Sequence, residues 1–225
     1  MKYVVFCLDF EKCYKRSRYW SDENWGALKG NIAILVDRLK PLNIPTVYFA
    51  HSETFVPLQK GVELFEAIPP KLKTRLARNN GLEAVDFDLP PDALFAVKKN
   101  YSAYQEKAIA KWLKTNGYSG VILCGLFEAG EEARNGYCVS ETAHDLVKAG
   151  FDVIIAAEAT DLGIKGNDDF LPLDKRREIH SRWGARIEPI KDIPAIIGGP
   201  VSSIEVALRP NQNRSAPTQG IHIGR

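Results

Sequence analysis

The sequence predicts an α/β protein: a single three-layer α/β/α domain whose mainly parallel sheet of about six strands carries helices on both faces. Two observations predict it. Short apolar runs rich in Val, Ile and Phe alternate with longer amphipathic stretches bounded by helix-start and turn residues. Residues capable of chemistry fall at or just beyond the C-terminal ends of those runs, where an open parallel sheet places its ligand crevice. The 225 residues suffice for one domain with a sizeable core.

The first strand spans roughly 3–9. Ser21-Asp22-Glu23-Asn24 offers a helix start, and Ile32, Ile34, Leu35, Leu39 and Leu42 supply the apolar face. Asn43-Ile44-Pro45 turns the chain into a second strand over 46–50. Residues 51–91 hold several prolines and no long period, so they read as a loop-rich excursion with one short helix, suited to binding or covering a ligand. A third strand covers about 93–98. Ser102 then caps a helix with Ala103, Ile109, Trp112 and Leu113 on its apolar side. Val121-Ile122-Leu123-Cys124 is the fourth strand, closed by Gly125, and 126–137 is a loop. The next helix starts at Cys138 and stops near Gly150. Strand five covers 151–156, and a helix around 173–183 and a strand around 185–189 complete the sheet. Residues 1–208 form the domain. The tail 209–225, rich in Pro, Asn, Ser, Gly and Gln, reads as loosely ordered or docked on a partner subunit.

Composition is that of an ordinary globular protein, 45% hydrophobic and 26% charged. A net charge of +2 with no basic stripe argues against a nucleic-acid partner. No apolar run reaches membrane-spanning length. The first residues lead straight into a strand pattern without the regions of a signal peptide. The four cysteines Cys7, Cys13, Cys124 and Cys138 show no C-x-x-C spacing, and Cys7 and Cys124 fall inside apolar strands. A reduced, cytoplasmic protein is the expectation.

Three strand ends carry the candidate chemistry. The first run stops at Asp9 and the third at Lys98, and Cys138 opens a helix after the loop that follows the fourth. Unpaired N–H groups and partial positive charge at a helix start favour thiolate over thiol.

The same segments carry a resemblance. Val5-Phe6-Cys7-Leu8-Asp9-Phe10-Glu11, Lys98-Lys99-Asn100-Tyr101-Ser102-Ala103-Tyr104, and Cys138 through Val153 with Thr142, Ala143, Asp145, Gly150 and Phe151, together resemble three blocks of the isochorismatase-like cysteine hydrolases. That family includes nicotinamidases, N-carbamoyl and ureido amidohydrolases, and isochorismatases. The resemblance implies a Rossmann-like fold and a catalytic triad of Asp9, Lys98 and Cys138. Asp9 would accept the thiol proton and later activate water, Lys98 would hold positive charge beside the sulfur, and Cys138 would attack a carbonyl to give a thioester. The Cys138 N–H would help to form the oxyanion hole.

Glu11, Tyr101, Phe127 and Tyr137 are the substrate-binding candidates, with Trp20, Trp25 and Phe55 as further aromatic walls or core residues. Taken singly, Asp9 also reads as a turn residue and Lys98 as a solvated strand end. Ser102 reads as a helix cap, Thr142 and Ala143 as small packing residues, His144 as exposed, and Asp145 as an anchor for a neighbouring backbone. His51 suits either the pocket mouth or local loop contacts.

Three departures from the family pattern stand out. Glu11 replaces the usual Gln two residues after the Asp, a change that repels anionic substrates unless Glu11 is a surface residue paired with Lys12, Lys15 or Arg16. The loop between Gly125 and Cys138 is longer than the family's compact turn, whose strained cis peptide would fall at Leu126-Phe127. Tyr104 stands for a Phe. Metal ligands of the nicotinamidase kind are not expected, since only His51 follows the second strand.

The expected function is a metal-free cysteine hydrolase cleaving a non-peptide C–N bond of a small amide, carbamoyl or ureido compound. It would act without cofactor, as a homo-oligomer with a small-molecule substrate and neither nucleic-acid nor membrane partners. The alternatives are a catalytically silent binding or assembly module of the same fold and a metal-assisted nicotinamidase.

Overall fold

The computed structural model describes residues 1–15, 20–51, 64–66, 94–128, 137–166 and 170–198. Among the described residues, seven strands form one sheet: β1 (Tyr3–Leu8), β2 (Thr46–His51), β3 (Leu64–Glu66), β4 (Leu94–Lys98), β5 (Gly120–Gly125), β6 (Asp152–Thr160) and β7 (Arg186–Glu188), in the order β3-β4-β2-β1-β5-β6-β7. Six strands are parallel, and β3 is a short antiparallel edge strand on β4. That edge strand lies within 51–91, where the sequence pattern predicts a loop and a short helix. The helix, Phe55 and the tail 209–225 lie outside the described residues.

Alternation along β1 explains the layers. Val5 and Cys7 face a core completed by Trp25, Leu28, Ile32, Leu35 and Leu39 of α2 (Asp22–Leu39), after the short α1 (Lys12–Lys15). Val4, Phe6 and Leu8 face the opposite core, completed by Ile109 and Leu113 of α3 (Lys107–Thr115) and by Val139, Ala143 and Leu146 of α4 (Cys138–Lys148). A strand buried on both faces needs apolar residues at every position, and β1 has them. The α2 residues at i, i+3 and i+4 spacing are all buried, each stabilising the fold by about 1.5–3 kcal/mol. The predicted Ser21 cap holds, its side chain accepting from Asn24 N–H at 3.1 Å.

The other predicted cap does not form. Ser102 makes no capping hydrogen bond, and a 3-10 turn (Ala103–Gln105) precedes α3, which starts five residues later. β6 runs to Thr160, beyond the predicted 156, because after a register shift Thr160 still pairs with Gly125 of β5. The last helices among the described residues are α5 (Leu173–Ser181) and α6 (Ile193–Ile196). None of the described helices is long and apolar enough to cross a membrane.

Candidate functional site

The parallel register lines up the strand ends. Leu8 pairs with Gly125 and Phe49, and His51 pairs with Lys98, so β1, β2, β4 and β5 end together. Only glycine fits at 125: its φ is +112°, and a Cβ there would lie 2.1 Å from Leu8 O. Asp9, just past β1, adopts φ +53°, a left-handed conformation that Asp tolerates better than most residues. This turns its carboxylate into the crevice instead of along the strand.

Asp9, Lys98 and Cys138 meet there. Lys98 Nζ lies 2.9 Å from Asp9 Oδ2, donates to Cys138 Sγ at 3.1 Å, and donates to Asn100 O at 3.2 Å. Two of these contacts are hydrogen bonds and the third is an ion pair, and together they hold the side chain between acid and thiol. Asp9 and Lys98 are fully buried and Cys138 is 3% exposed. The ammonium is held above its ordinary range, because the Asp9 and Cys138 neighbours outweigh the lowering by burial. Both Asp9 carboxylate oxygens are buried, and neither has a hydrogen-bond partner among the described residues beyond the ion pair with Lys98.

The thiol behaves differently from the expectation set by its helix start. Burial first, and then the Asp9 carboxylate, push the Cys138 pKa well up, and Lys98 offsets them only in part. The resting sulfur is a neutral thiol beside a carboxylate able to take its proton.

Two contacts that the sequence reading missed hold this arrangement. Glu106 accepts from Lys99 N–H at 2.5 Å and from Asn100 N–H at 3.0 Å, which presents Asn100 O to Lys98. Thr142 Oγ1 accepts from Ala103 N–H at 3.0 Å, so it pins the turn after β4 to α4 besides packing there. Asp145 takes Gln105 Nε2 at 3.0 Å, a side chain instead of the expected backbone.

The substrate-binding candidates divide. Glu11 is fully buried, and its Oε1 accepts from His51 N–H at 2.7 Å, so it is not the surface Glu its lysine neighbours suggested. Tyr101 is 54% exposed, with its ring 6.0 Å from that of His51. Phe127 is half-buried with its edge against Tyr14, and Tyr137 is the N-cap of α4 beside Cys138. Trp25 stacks on Phe10 at 4.3 Å and is buried in the core, while the partly buried Trp20 packs edge-on against it. His144 is half-buried near Trp183, not exposed.

Among the described residues after β5, Leu126 to Glu128, there is no cis peptide; instead Phe127 takes a left-handed φ of +67°. Its backbone donors are all used: Leu126 N–H goes to Leu8 O, and Phe127 and Glu128 N–H go to Asp161 Oδ2 and Oδ1 at 2.9 and 3.0 Å. None of the three is available to an oxyanion; the Cys138 N–H stands at the head of α4.

Beneath this turn lies a buried charged cluster. Arg176 holds Glu128 bidentately (Nε–Oε1 3.0 Å, Nη2–Oε2 2.7 Å), and Thr160 Oγ1 and His180 Nε2 complete its coordination at 2.6 and 3.0 Å. Burial alone would raise the Glu128 pKa, but Arg176 and His180 bring it down to about 2. Burial, together with the Glu128 charge, pushes Asp161 up to about 7 against the pull of its backbone donors. The available signal was Arg176 and His180 four residues apart around buried Ile179, a polar pair on the inward face of a helix.

A depressed carboxylate stabilises the fold above its unfolded value and loses that contribution as pH falls. The contribution of Glu128 is thus complete above about pH 4.5 and lost toward pH 2. Glu128→Gln is expected to lower the melting temperature at neutral pH and to flatten the acid limb of a pH–melting curve. Parallel acid limbs in variant and wild type would contradict the assignment. Arg176→Ala, which strands the carboxylate, should cost about 3–5 kcal/mol in denaturant unfolding.

Among the described residues, no three His, Cys, Asp or Glu side chains cluster as a metal site would. A recess of about 250 Å³ lined by Lys2, Tyr3, Asn43 and Ile197 lies at the opposite, N-terminal ends of the strands, away from this chemistry.

The isochorismatase domain family model matches residues 3–163. N-carbamoylsarcosine amidase from Thermoplasma acidophilum is similar in fold (TM-score 0.56, 17% identity, 84% of this chain and 97% of that one). So is pyrazinamidase of Pyrococcus horikoshii, solved in complex with zinc (TM-score 0.55, 22% identity, 84% and 99%). So too is the MAR1 ribonuclease from Caenorhabditis elegans (TM-score 0.55, 18% identity, 97% and 96%).

Proposed function

Because the chain belongs to the isochorismatase family of hydrolases, we propose that it is a cysteine hydrolase cleaving a non-peptide C–N bond in a small amide, carbamoyl or ureido compound. The observation that carries this reading is the single Lys98 ammonium bridging Asp9 Oδ2 at 2.9 Å and Cys138 Sγ at 3.1 Å. An acid, a fixed positive charge and a thiol in one buried crevice are the parts that acyl transfer to sulfur needs.

The steps follow from the proton inventory. Cys138 rests as a thiol, so attack requires its proton to pass to Asp9, whose carboxylate oxygens have no hydrogen-bond donor among the described residues. The sulfur then bonds to the substrate carbonyl carbon, and the oxyanion takes the Cys138 N–H. Asp9 returns the proton to the leaving nitrogen as the C–N bond breaks, which frees ammonia or an amine and leaves a thioester. Water attacks the thioester, giving one proton to Asp9, and the acid product leaves as the thiol is regenerated. Lys98 keeps its charge throughout and stabilises the thiolate stage.

Glu11 places a second carboxylate near this crevice, which disfavours anionic substrates. Tyr101, Phe127 and Tyr137 are the contacts we assign to the substrate's remaining surface. In this reading the reaction needs no metal, and elemental analysis of purified protein, finding no stoichiometric divalent ion, checks that point. We also propose a cytoplasmic homo-oligomer; Cys7, Cys124 and Cys138 are free thiols, which suits a reducing compartment. Light scattering after size-exclusion chromatography tests the oligomer.

The deciding experiment is ammonia release from a panel of small amides, carbamoyl and ureido compounds, with mass spectrometry of the acid-quenched enzyme. Release accompanied by an acyl adduct on Cys138 is the expected result. Release without any adduct in the steady state or the first turnover points to a water- or metal-based route. Absence of release across the panel, with Cys138 inert to electrophiles, favours a silent binding module.

A further inference from the structure

We propose that Asp161 is a positioning residue for Cys138, acting through the turn Phe127-Glu128 that links β5 toward α4. This rests on reading Cys138 as the nucleophile. Asp161 follows the last residue of β6 and spends both carboxylate oxygens on two successive backbone N–H groups, Phe127 to Oδ2 and Glu128 to Oδ1. That turn holds Phe127 at φ +67°, a conformation a bulky residue keeps only when its surroundings impose it. The Phe127 carbonyl, so oriented, accepts the Val139 N–H at 2.9 Å. Val139 is the second residue of α4, directly after Cys138. A continuous path of one turn and three hydrogen bonds therefore runs from Asp161 to the peptide that carries the thiol.

The Glu128 side chain braces the same turn from below, with Arg176, His180 and Thr160 around it. Arg176 and His180 lie beyond residue 163, where the family match ends, so the support comes from a part of the chain outside that match. Glu128 is thus held both through its backbone and through its side chain.

A carboxylate is specifically suited to the task. It offers acceptors to both N–H groups, whereas an amide offers one oxygen and sets its own N–H₂ against the second donor. Glycine at 127 removes the need for the clamp, because it adopts positive φ without penalty. Those two facts define a test that a purely structural role would fail. The readout is the rate of Cys138 alkylation by iodoacetamide at about pH 8, where Asp161 is mostly ionised, followed by peptide mass mapping. It is compared for the wild type, Asp161→Asn, Phe127→Gly and the double variant.

Asp161→Asn is expected to slow Cys138 alkylation by about tenfold or more, because a displaced thiol loses its Lys98 contact. The double variant is expected to return to within about threefold of Phe127→Gly alone. An Asp161→Asn rate equal to or faster than wild type overturns the proposal. So does a double variant that stays as slow as Asp161→Asn. If Asp161→Asn does not fold, the double variant decides: folded with the Phe127→Gly rate supports the proposal, while folded and slow, or unfolded, overturns it. A wild-type Cys138 that never alkylates sinks the cysteine-hydrolase reading itself, which separates the two failures.

Discussion

Cys138→Ala is expected to abolish hydrolysis, lowering kcat by roughly four to six orders of magnitude on the best substrate of the panel, while the fold stays intact. The chemistry predicts the first half. Without sulfur there is no thioester, and among the described residues Ser102, the serine of the Lys98 block, is buried at the head of a different turn. The structure predicts the second half. Cys138 is the first residue of α4, a position that alanine fills well, and Lys98 keeps Asp9 and Asn100 O as partners when the thiol is gone. The melting temperature should therefore move by only a few degrees. Cys138→Ser keeps a hydrogen-bonding group of similar size and should be almost as inactive, because Asp9 has to remove a far less acidic proton. Turnover in either variant within about tenfold of wild type would remove Cys138 as the nucleophile.

The fold was legible because its signals are local. Each parallel strand announced itself as an apolar run between turn residues, and Ile32, Leu35 and Leu39 of the buried α2 stripe showed in the sequence. β3 did not, because a three-residue edge strand has too short a pattern to stand out from its proline-rich surroundings. The positions of Asp9, Lys98 and Cys138 were legible from strand ends, and register then brought them together. Their protonation was not. A helix start argues for thiolate, yet burial and the adjacent Asp9 carboxylate outweigh it, and neither is visible before the fold is known. The Glu128, Asp161, Arg176 and His180 cluster was missed for a similar reason. Its members are spread along the chain from 128 to 180, and a buried ion pair has no sequence signature beyond charges in unexpected places.

Lys98→Met is expected to cost both activity and stability, and its combination with Asp9→Asn is expected to recover only the stability. Met preserves the shape of the lysine stem but leaves the Asp9 carboxylate fully buried with no counter-charge, at a cost of about 3–5 kcal/mol in denaturant unfolding. Neutralising Asp9 as well removes the stranded charge, and replacing a whole buried pair by uncharged groups is close to neutral, so most of that loss should return. Activity should not return, because the double variant has neither a base nor a charge to hold the thiolate. The pH dependence adds a check of the sign. A lysine held above its unfolded value of 10.5 contributes stability that is fully present below about pH 10.5 and lost as pH rises through its folded value. The wild type should therefore lose stability more steeply than Lys98→Met in the alkaline range, while the neutral range shows no such slope from this residue. If the double variant is as unstable as Lys98→Met, the cost lies in packing around the lysine stem and not in the unpaired charge. If it is as active as wild type, neither residue takes part in the chemistry. Recovery of stability without activity is the pattern expected where a buried ion pair is retained for function, since the fold alone would do as well with uncharged residues in its place.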